Sequence, residues 1–353
     1  MAANIFVDPV IVATPDEATD RDGIVAWLEN LALWLKEALS AHFTWLHSAK
    51  ITELLEVNGR FPGFMNLRDL QRKYRLDINP TLLARNVNEF FRNPEFDLGN
   101  SLENLGVLTE IKDGSVTIQP AAMAARWPDF IQAAMYSLLV TSCVCKQIAH
   151  AFTQHLHIAT LKFSDQIQEI TVSAIITYVI PELVCQPGDA IVQTFPLLFT
   201  PEDLLPLINV LEFWYKGEGG IVYMIKQQHK KDWHKSGGSF LQFSLGSHFI
   251  ESINASGLDT NEIVLRRIIM LAAATIADEI KRIPGAKLHP LRISPAPNSP
   301  QRMRGKDQAS AWRIDVMKYG AGWRLHYWHI PGPAGGSIEF SNVCKESDDM
   351  IYE

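Results

Sequence analysis

Apolar positions recur at helical spacing through Ile24, Trp27, Leu28, Leu31, Leu33, Trp34 and Leu39. This stripe predicts an amphipathic helix capped at Asp20 or Asp22 and running to about His47. Helices are also expected over 51–57, 67–74 and 80–91, the last opening on Pro80, which suits a first turn. Two short runs around Asp113-Gly114 read as a hairpin. From 121 to 235 the chain is dense in apolar residues and cut by Pro128, Pro181, Pro187, Pro196, Pro201 and Pro206. Helices are expected there over 129–160, 166–184 and 201–229, with Gly217-Glu-Gly-Gly as a turn or loop that could end the last one early. Beyond 236 the pattern becomes strand 239–245, helices near 247–254 and 260–283, a proline-rich basic loop, then strands 311–317, 323–329 and 337–343. The expected fold class is α+β: a mostly helical N-terminal body and a C-terminal β-α-α-β-β-β module. Its expected domains are 1–120, 121–235 and 236–353.

Composition narrows the class. With 353 residues, 47% hydrophobic and 20% charged, the chain has material for two or three folded domains. Cys143, Cys145, Cys185 and Cys344 show no C-x-x-C spacing, so neither a zinc ribbon nor a disulfide framework is supported. His150, His155 and His157 stand close in sequence, but on a helix i and i+2 point to different faces and no carboxylate completes a set. No metal is expected. The apolar stretches 133–145, 171–181 and 268–277 are shorter than the roughly 20 residues that span a bilayer. Residues 1–22 lack a basic, then apolar, leader pattern and carry five acidic residues. A cytoplasmic protein without membrane contact is therefore expected. P-loop, H-E-x-x-H, G-x-S-x-G and G-x-G-x-x-G patterns are absent, so no cofactor is expected.

The net charge of −7 conceals an asymmetry. Residues 281–329 hold ten Lys and Arg against Asp307 and Asp315, a local +8 that would attract phosphate-bearing partners or dock on an acidic surface of the same chain. Residues 48–120, in the order helix, helix, hairpin, resemble a winged helix-turn-helix whose second helix would present Arg85, Asn86, Asn88 and Arg92. That segment has nine basic and ten acidic residues, which favours protein contact or a purely architectural role over duplex binding.

The C-terminal third carries Arg302-Met-Arg-Gly305, Trp312-Arg-Ile-Asp-Val, Gly322-Trp-Arg-Leu-His-Tyr and Val343-Cys-Lys-Glu-Ser-Asp-Asp-Met-Ile-Tyr352. These pieces, in the β-α-α-β-β-β order, resemble the RelE/ParE toxin superfamily over about 115 residues. The resemblance implies a metal-independent endoribonuclease. In it Arg313 and Arg324 would bind the scissile phosphate, Lys345 would neutralise charge, and His326 or Tyr352 would transfer protons. Arg302, Arg304, Lys306, Lys318 and His329 are the further candidates for nucleic-acid binding, with Trp328 for base stacking. The chain departs from the family at Asp315, at the acids Glu346, Asp348 and Asp349, and at Tyr352, which is penultimate. An Arg313 paired with Asp315 or with a C-terminal carboxylate is the alternative to a phosphate-binding Arg313. Two functions follow as expectations. One is a toxin-like endoribonuclease regulated by its helical body, possible in bacterial stress or antiviral defence, with RNA as partner. The other is a non-catalytic nucleic-acid- or protein-binding component of a larger complex.

Overall fold

Asn4–Val7 (β1) is buried along its whole length, the mark of a strand covered on both faces. The computed structural model describes residues 3–353 except 17, 41, 148–154, 163–165, 181–185, 234–239, 295, 297 and 318–321. The chain is an α+β protein that divides into two units, Met1–Leu207 and Ile208–Glu353.

In the first unit β1 is followed by α1 (Pro9–Val12), α2 (Arg21–Ala38), β2 (Thr44–Leu46), α3 (Ala49–Val57), α4 (Phe64–Tyr74), α5 (Pro80–Phe91) and α6 (Leu98–Glu103). Then come β3 (Leu108–Ile111), β4 (Thr117–Gln119), α7 (Ala121–Ala124), α8 (Asp129–Gln147), β5 (Leu156–Ala159), β6 (Glu169–Ile180) and β7 (Ala190–Leu198). One mixed sheet joins these strands in the order β2-β1-β5-β7-β6, with β3 and β4 along the outer edge of β6. Strands β2, β1, β5 and β7 are mutually parallel, and β6 runs against them. The sheet thus crosses the expected boundary at 120/121. Helix α8 packs on α3 and lies against β3, β6 and β7.

Helices α3, α4 and α5 form where periodicity placed them, and Asn79 caps α5 by accepting from the Leu82 amide. Four expectations fail in this unit. The segment expected as helix 166–184 is the strand β6, in which Ile170, Val172, Ala174 and Ile176 are buried and alternate with more exposed neighbours. Its β-branched residues fit a pleated surface better than a helix. Helix 129–160 stops being helical before β5, and α2 ends at Ala38, short of His47, leaving Thr44–Leu46 as a strand.

The hairpin expected at Asp113-Gly114 is the fourth. Strands β3 and β4 each pair antiparallel with β6, so they run in the same direction and do not pair with each other. The turn makes a jog in one edge. The Lys112 amide still donates to Ile175 O (2.9 Å), and the Ser115 hydroxyl then accepts from the Ile175 amide (3.1 Å) in place of a backbone carbonyl. Gly114 supplies the left-handed residue (φ +67°) that both a hairpin and this jog require.

The second unit opens with α9 (Val210–Tyr215) and α10 (Glu218–Trp233), separated by Gly217 (φ +70°). So the expected helix 201–229 is three pieces, the first a 3-10 turn at Pro201–Leu207 in the other unit. The rest is β8 (Gln242–Leu245), α11 (Phe249–Ala255), α12 (Glu262–Ile276), β9 (Leu288–Pro290), β10 (Ser310–Met317), β11 (Trp323–Ile330) and β12 (Ser337–Lys345). The expected strand and helix order is present, with β9 added at the edge. Sheet order is β8-β12-β11-β10-β9, all antiparallel except β8 beside β12. Helix α10 packs on α12, across the expected boundary at 235/236.

One face of this sheet is closed by helices: α12 lies on β10 and α11 on β12, where the Phe249 and Phe340 rings are 6.1 Å apart. Alternation along β11 sends Leu325 and Tyr327 to one face and Arg324, His326 and Trp328 to the other. Among the described residues no helix is long and apolar enough to cross a membrane.

Candidate functional site

The face of the second sheet away from the helices gathers Arg313, Arg324, His326 and Trp328 of the residues singled out in the sequence. Register places Arg313 beside His326, Asp315 beside Arg324, and Ala311 beside Trp328; on the other flank Asn342 faces His326 and Cys344 faces Arg324. Arg313, Arg324 and His326 therefore come together as the β-strand alternation implies. Lys345 pairs with Trp323, one residue out of phase, and belongs to the opposite face. Lys306 is exposed on the preceding loop, and Lys318 lies outside the described residues. His329 is likewise out of phase with Trp328 and bonds to Gly335 O (2.8 Å).

The face is covered by the chain's own C-terminal segment, 346–352. Arg313 Nη1 donates to Asp349 Oδ1 (2.8 Å). Arg324 donates to Glu346 O (2.7 Å) and Glu346 Oε1 (2.8 Å), and lies 3.5 Å from both Asp315 and Asp349 carboxylate oxygens. Of the two partners weighed for Arg313, the C-terminal carboxylate is the one it takes. The main chain of the segment is held as closely as its acids. Arg302 donates to Asp349 O (3.2 Å), and the Cys344 thiol donates to Asp348 O (3.0 Å). His326 Nδ1 and Asn342 Nδ2 both donate to Met350 O (2.8 and 3.0 Å). Trp328 Nε1 and the Ser341 hydroxyl both donate to Tyr352 O (2.7 and 2.9 Å). Between these polar contacts Ile351 is buried in an apolar cluster with Leu291, Ala309, Ala311 and Trp328. The Tyr352 ring stacks on His248, with centroids 4.3 Å apart.

This arrangement changes the chemistry available. His326 is fully buried; burial pushes its imidazole below the ordinary range, opposed by the hydrogen bond to Met350 O. It is a neutral donor at neutral pH, fixed in the Nδ1-protonated form by that bond. Burial likewise pushes the Cys344 thiol up to about 12, so it is an unreactive hydrogen-bonding group. Trp328 is 1% exposed and its indole faces are not open to a base. Tyr352 donates no group to the two arginines; its ring is engaged at His248.

Arg304, expected to touch nucleic acid, is instead 1% exposed inside the unit. Its guanidinium forks onto Asp307 (Nε to Oδ1 3.0 Å, Nη2 to Oδ2 2.6 Å), reaches Glu339 Oε1 (2.7 Å) and lies 5.1 Å over the Trp328 ring. The hydrogen bonds from Arg304 hold the Asp307 carboxyl below its ordinary 3.8. A depressed folded-state carboxyl stabilises the fold above the unfolded value and loses that contribution as pH falls through the folded one. Wild-type melting temperature is therefore expected to drop more steeply than that of Asp307→Asn below about pH 4. Melting curves across the acid range check this, and parallel curves for the two proteins would contradict it.

No family model matches the chain, no curated protein matches it, and no solved structure matches it. The RelE/ParE resemblance thus stands on its own sequence pieces.

Residues that pattern reading did not select are Ser341, Asn342 and His248, together with the carbonyls of 346–352. Ser341 and Asn342 sit at a register shift between His326 and Tyr327, and this irregularity lets both side chains serve the tail. The available signal was the block Glu346, Asp348 and Asp349 following strands rich in arginine. Among the described residues, no group of three or more His, Cys, Asp or Glu is placed to hold a metal ion; His150 lies outside them.

Proposed function

We propose that the C-terminal unit is a non-catalytic, peptide-binding module that docks an extended acidic protein segment on its arginine-bearing sheet face. One observation carries the reading. The carbonyls of Asp348, Asp349, Met350 and Tyr352 are each met by a side chain of this unit, and Ile351, between the last two, is buried in an apolar cluster. Side chains that read main-chain carbonyls while a pocket takes an alternate apolar residue are the elements of strand-like peptide recognition. Arg313 and Arg324 supply the charge preference, and the +8 of the basic segment steers acidic sequences toward it.

The segment now bound is the chain's own, and a short tether gives it an effective concentration in the millimolar range. A competing protein segment must therefore offer a better match than Glu346-Ser-Asp-Asp-Met-Ile-Tyr. The endoribonuclease reading needs Arg313 and Arg324 open to a phosphodiester and a group able to take the 2′-hydroxyl proton, whereas both arginines are paired and His326 is sealed.

The test uses a chain ending at Lys345 and a labelled peptide of residues 346–353. Expected is saturable binding by fluorescence anisotropy, weakened roughly tenfold by Arg324→Ala in the truncated chain. A full-length Glu346→Lys, Asp349→Lys variant releases the segment without removing Ile351, should truncation impair folding. Absence of peptide binding in both formats defeats the proposal. Cleavage of total RNA by the released forms, abolished by Arg324→Ala, would install the ribonuclease in its place.

A further inference from the structure

Asp349 sits in the middle of the docked segment and holds the two arginines of the face through a single oxygen. Its Oδ1 accepts from Arg313 Nη1 (2.8 Å) and lies 3.5 Å from Arg324 Nη1, while no described group donates to Oδ2. Arg313 is correspondingly underused. Its Nε is buried without a hydrogen-bond partner, and among the described residues Asp349 is its single ion-pair partner. A guanidinium presents several donors in a rigid planar fork, and one carboxylate oxygen engages only one of them.

The charge around this point comes from the sheet and its preceding loop. Arg302, Arg313 and Arg324 surround Asp349, whereas the nearest acid of the sheet, Asp315, lies 3.5 Å from Arg324 Nε. Asp307 and Glu339 are engaged by Arg304 at the Trp328 end of the face. Residues 318–321, outside the described ones, include no acid. The tail supplies the opposing charge to Arg313 and Arg324 as two separate carboxylates, Glu346 and Asp349, and Asp348 accepts from the Met350 amide within the tail itself.

We propose that the external segment taken by this face is phosphorylated, with a phosphoserine where the chain's own tail has Asp349 and its phosphate held between Arg313 and Arg324. The inference rests on the peptide-docking reading and names the chemistry by which a partner outcompetes the tail. A phosphoryl group carries up to about two negative charges and three strong acceptor oxygens. One oxygen takes the place of Asp349 Oδ1, and the others meet the Arg313 donors that a carboxylate leaves idle. The Asp349 side chain is 42% exposed, so the longer group extends toward solvent and the neighbouring contacts to Asp348 O and Met350 O are kept.

The receptor is the full chain with Glu346→Lys and Asp349→Lys, whose own segment is released. The probes are labelled peptides of residues 346–353 bearing aspartate, serine or phosphoserine at position 349. Expected by fluorescence anisotropy is the order phosphoserine, aspartate, serine, with phosphoserine at least roughly tenfold tighter than aspartate. Arg313→Lys in the same chain is expected to bring that ratio below about threefold, because an ammonium keeps the charge and loses the fork. The wild-type chain, in which the tail competes, is expected to show the same preference at weaker affinity, so the comparison survives a double variant that fails to fold. Equal affinity for the aspartate and phosphoserine peptides would overturn the inference and leave the docking reading standing. So would a preference that survives Arg313→Lys, or displacement of the phosphoserine peptide by an equal concentration of inorganic phosphate. Absence of binding by all three peptides defeats both.

Discussion

Replacing Arg304 by alanine is expected to lower the stability of the C-terminal unit by about 3 kcal/mol, because it leaves two carboxylates facing a site with no cation. Asp307 and Glu339 side chains are only 26% and 21% exposed, so water compensates them in part, and the Trp328 ring also loses its guanidinium cover. Arg304→Lys is expected to recover less than half of the loss, since an ammonium cannot fork onto Asp307 while reaching Glu339. Denaturant midpoints measured with Asp307→Asn and Glu339→Gln in the Arg304→Ala background should show partial rescue. A loss below about 1 kcal/mol would show that the ion cluster is solvated like an ordinary surface pair. The same experiment separates two roles for this residue. A nucleic-acid contact would change affinity and spare stability; a structural fork does the reverse.

The second large effect belongs to the other unit. Asp8→Ala is expected to cost about 3 kcal/mol, from stranding the buried Trp127 Nε1 and Thr160 hydroxyl and from losing the cap on the Val10 amide. Burial pushes the Asp8 carboxyl up, so its charge is itself a liability that the three donors offset. Asp8→Asn keeps an acceptor oxygen without the charge and is expected to lose less than half as much. Thermal and denaturant unfolding of the two variants check the order. If Asp8→Asn proves as damaging as Asp8→Ala, the charge rather than the acceptor is what the site requires.

These two residues show different degrees of legibility. Arg304 was visible as part of a basic segment, yet its burial was not, because Asp307 and Glu339 neutralise it from positions 3 and 35 residues away. Asp8 gave no pattern at all: its partners are 119 and 152 residues distant. The shared face of Arg324, His326 and Trp328 was readable, since period-two alternation needs only local sequence, whereas the register that sets Arg313 beside His326 was not. What occupies that face was not, since the acids of 346–349 could as readily have been solvated.

Local sequence determined the α+β class, the helices expected at 51–57, 67–74 and 80–91, and, β9 apart, the order of strands and helices from 242 to 345. Each depends on periodicity, caps or turns that act within a few residues. Tertiary structure decided that Ile170–Ile176 is strand, that Asp113-Gly114 jogs an edge without reversing it, and that the terminal acids close over the arginines. In each of these the local signal was compatible with two outcomes, and a hydrogen-bonding or charged partner far along the chain selected one of them.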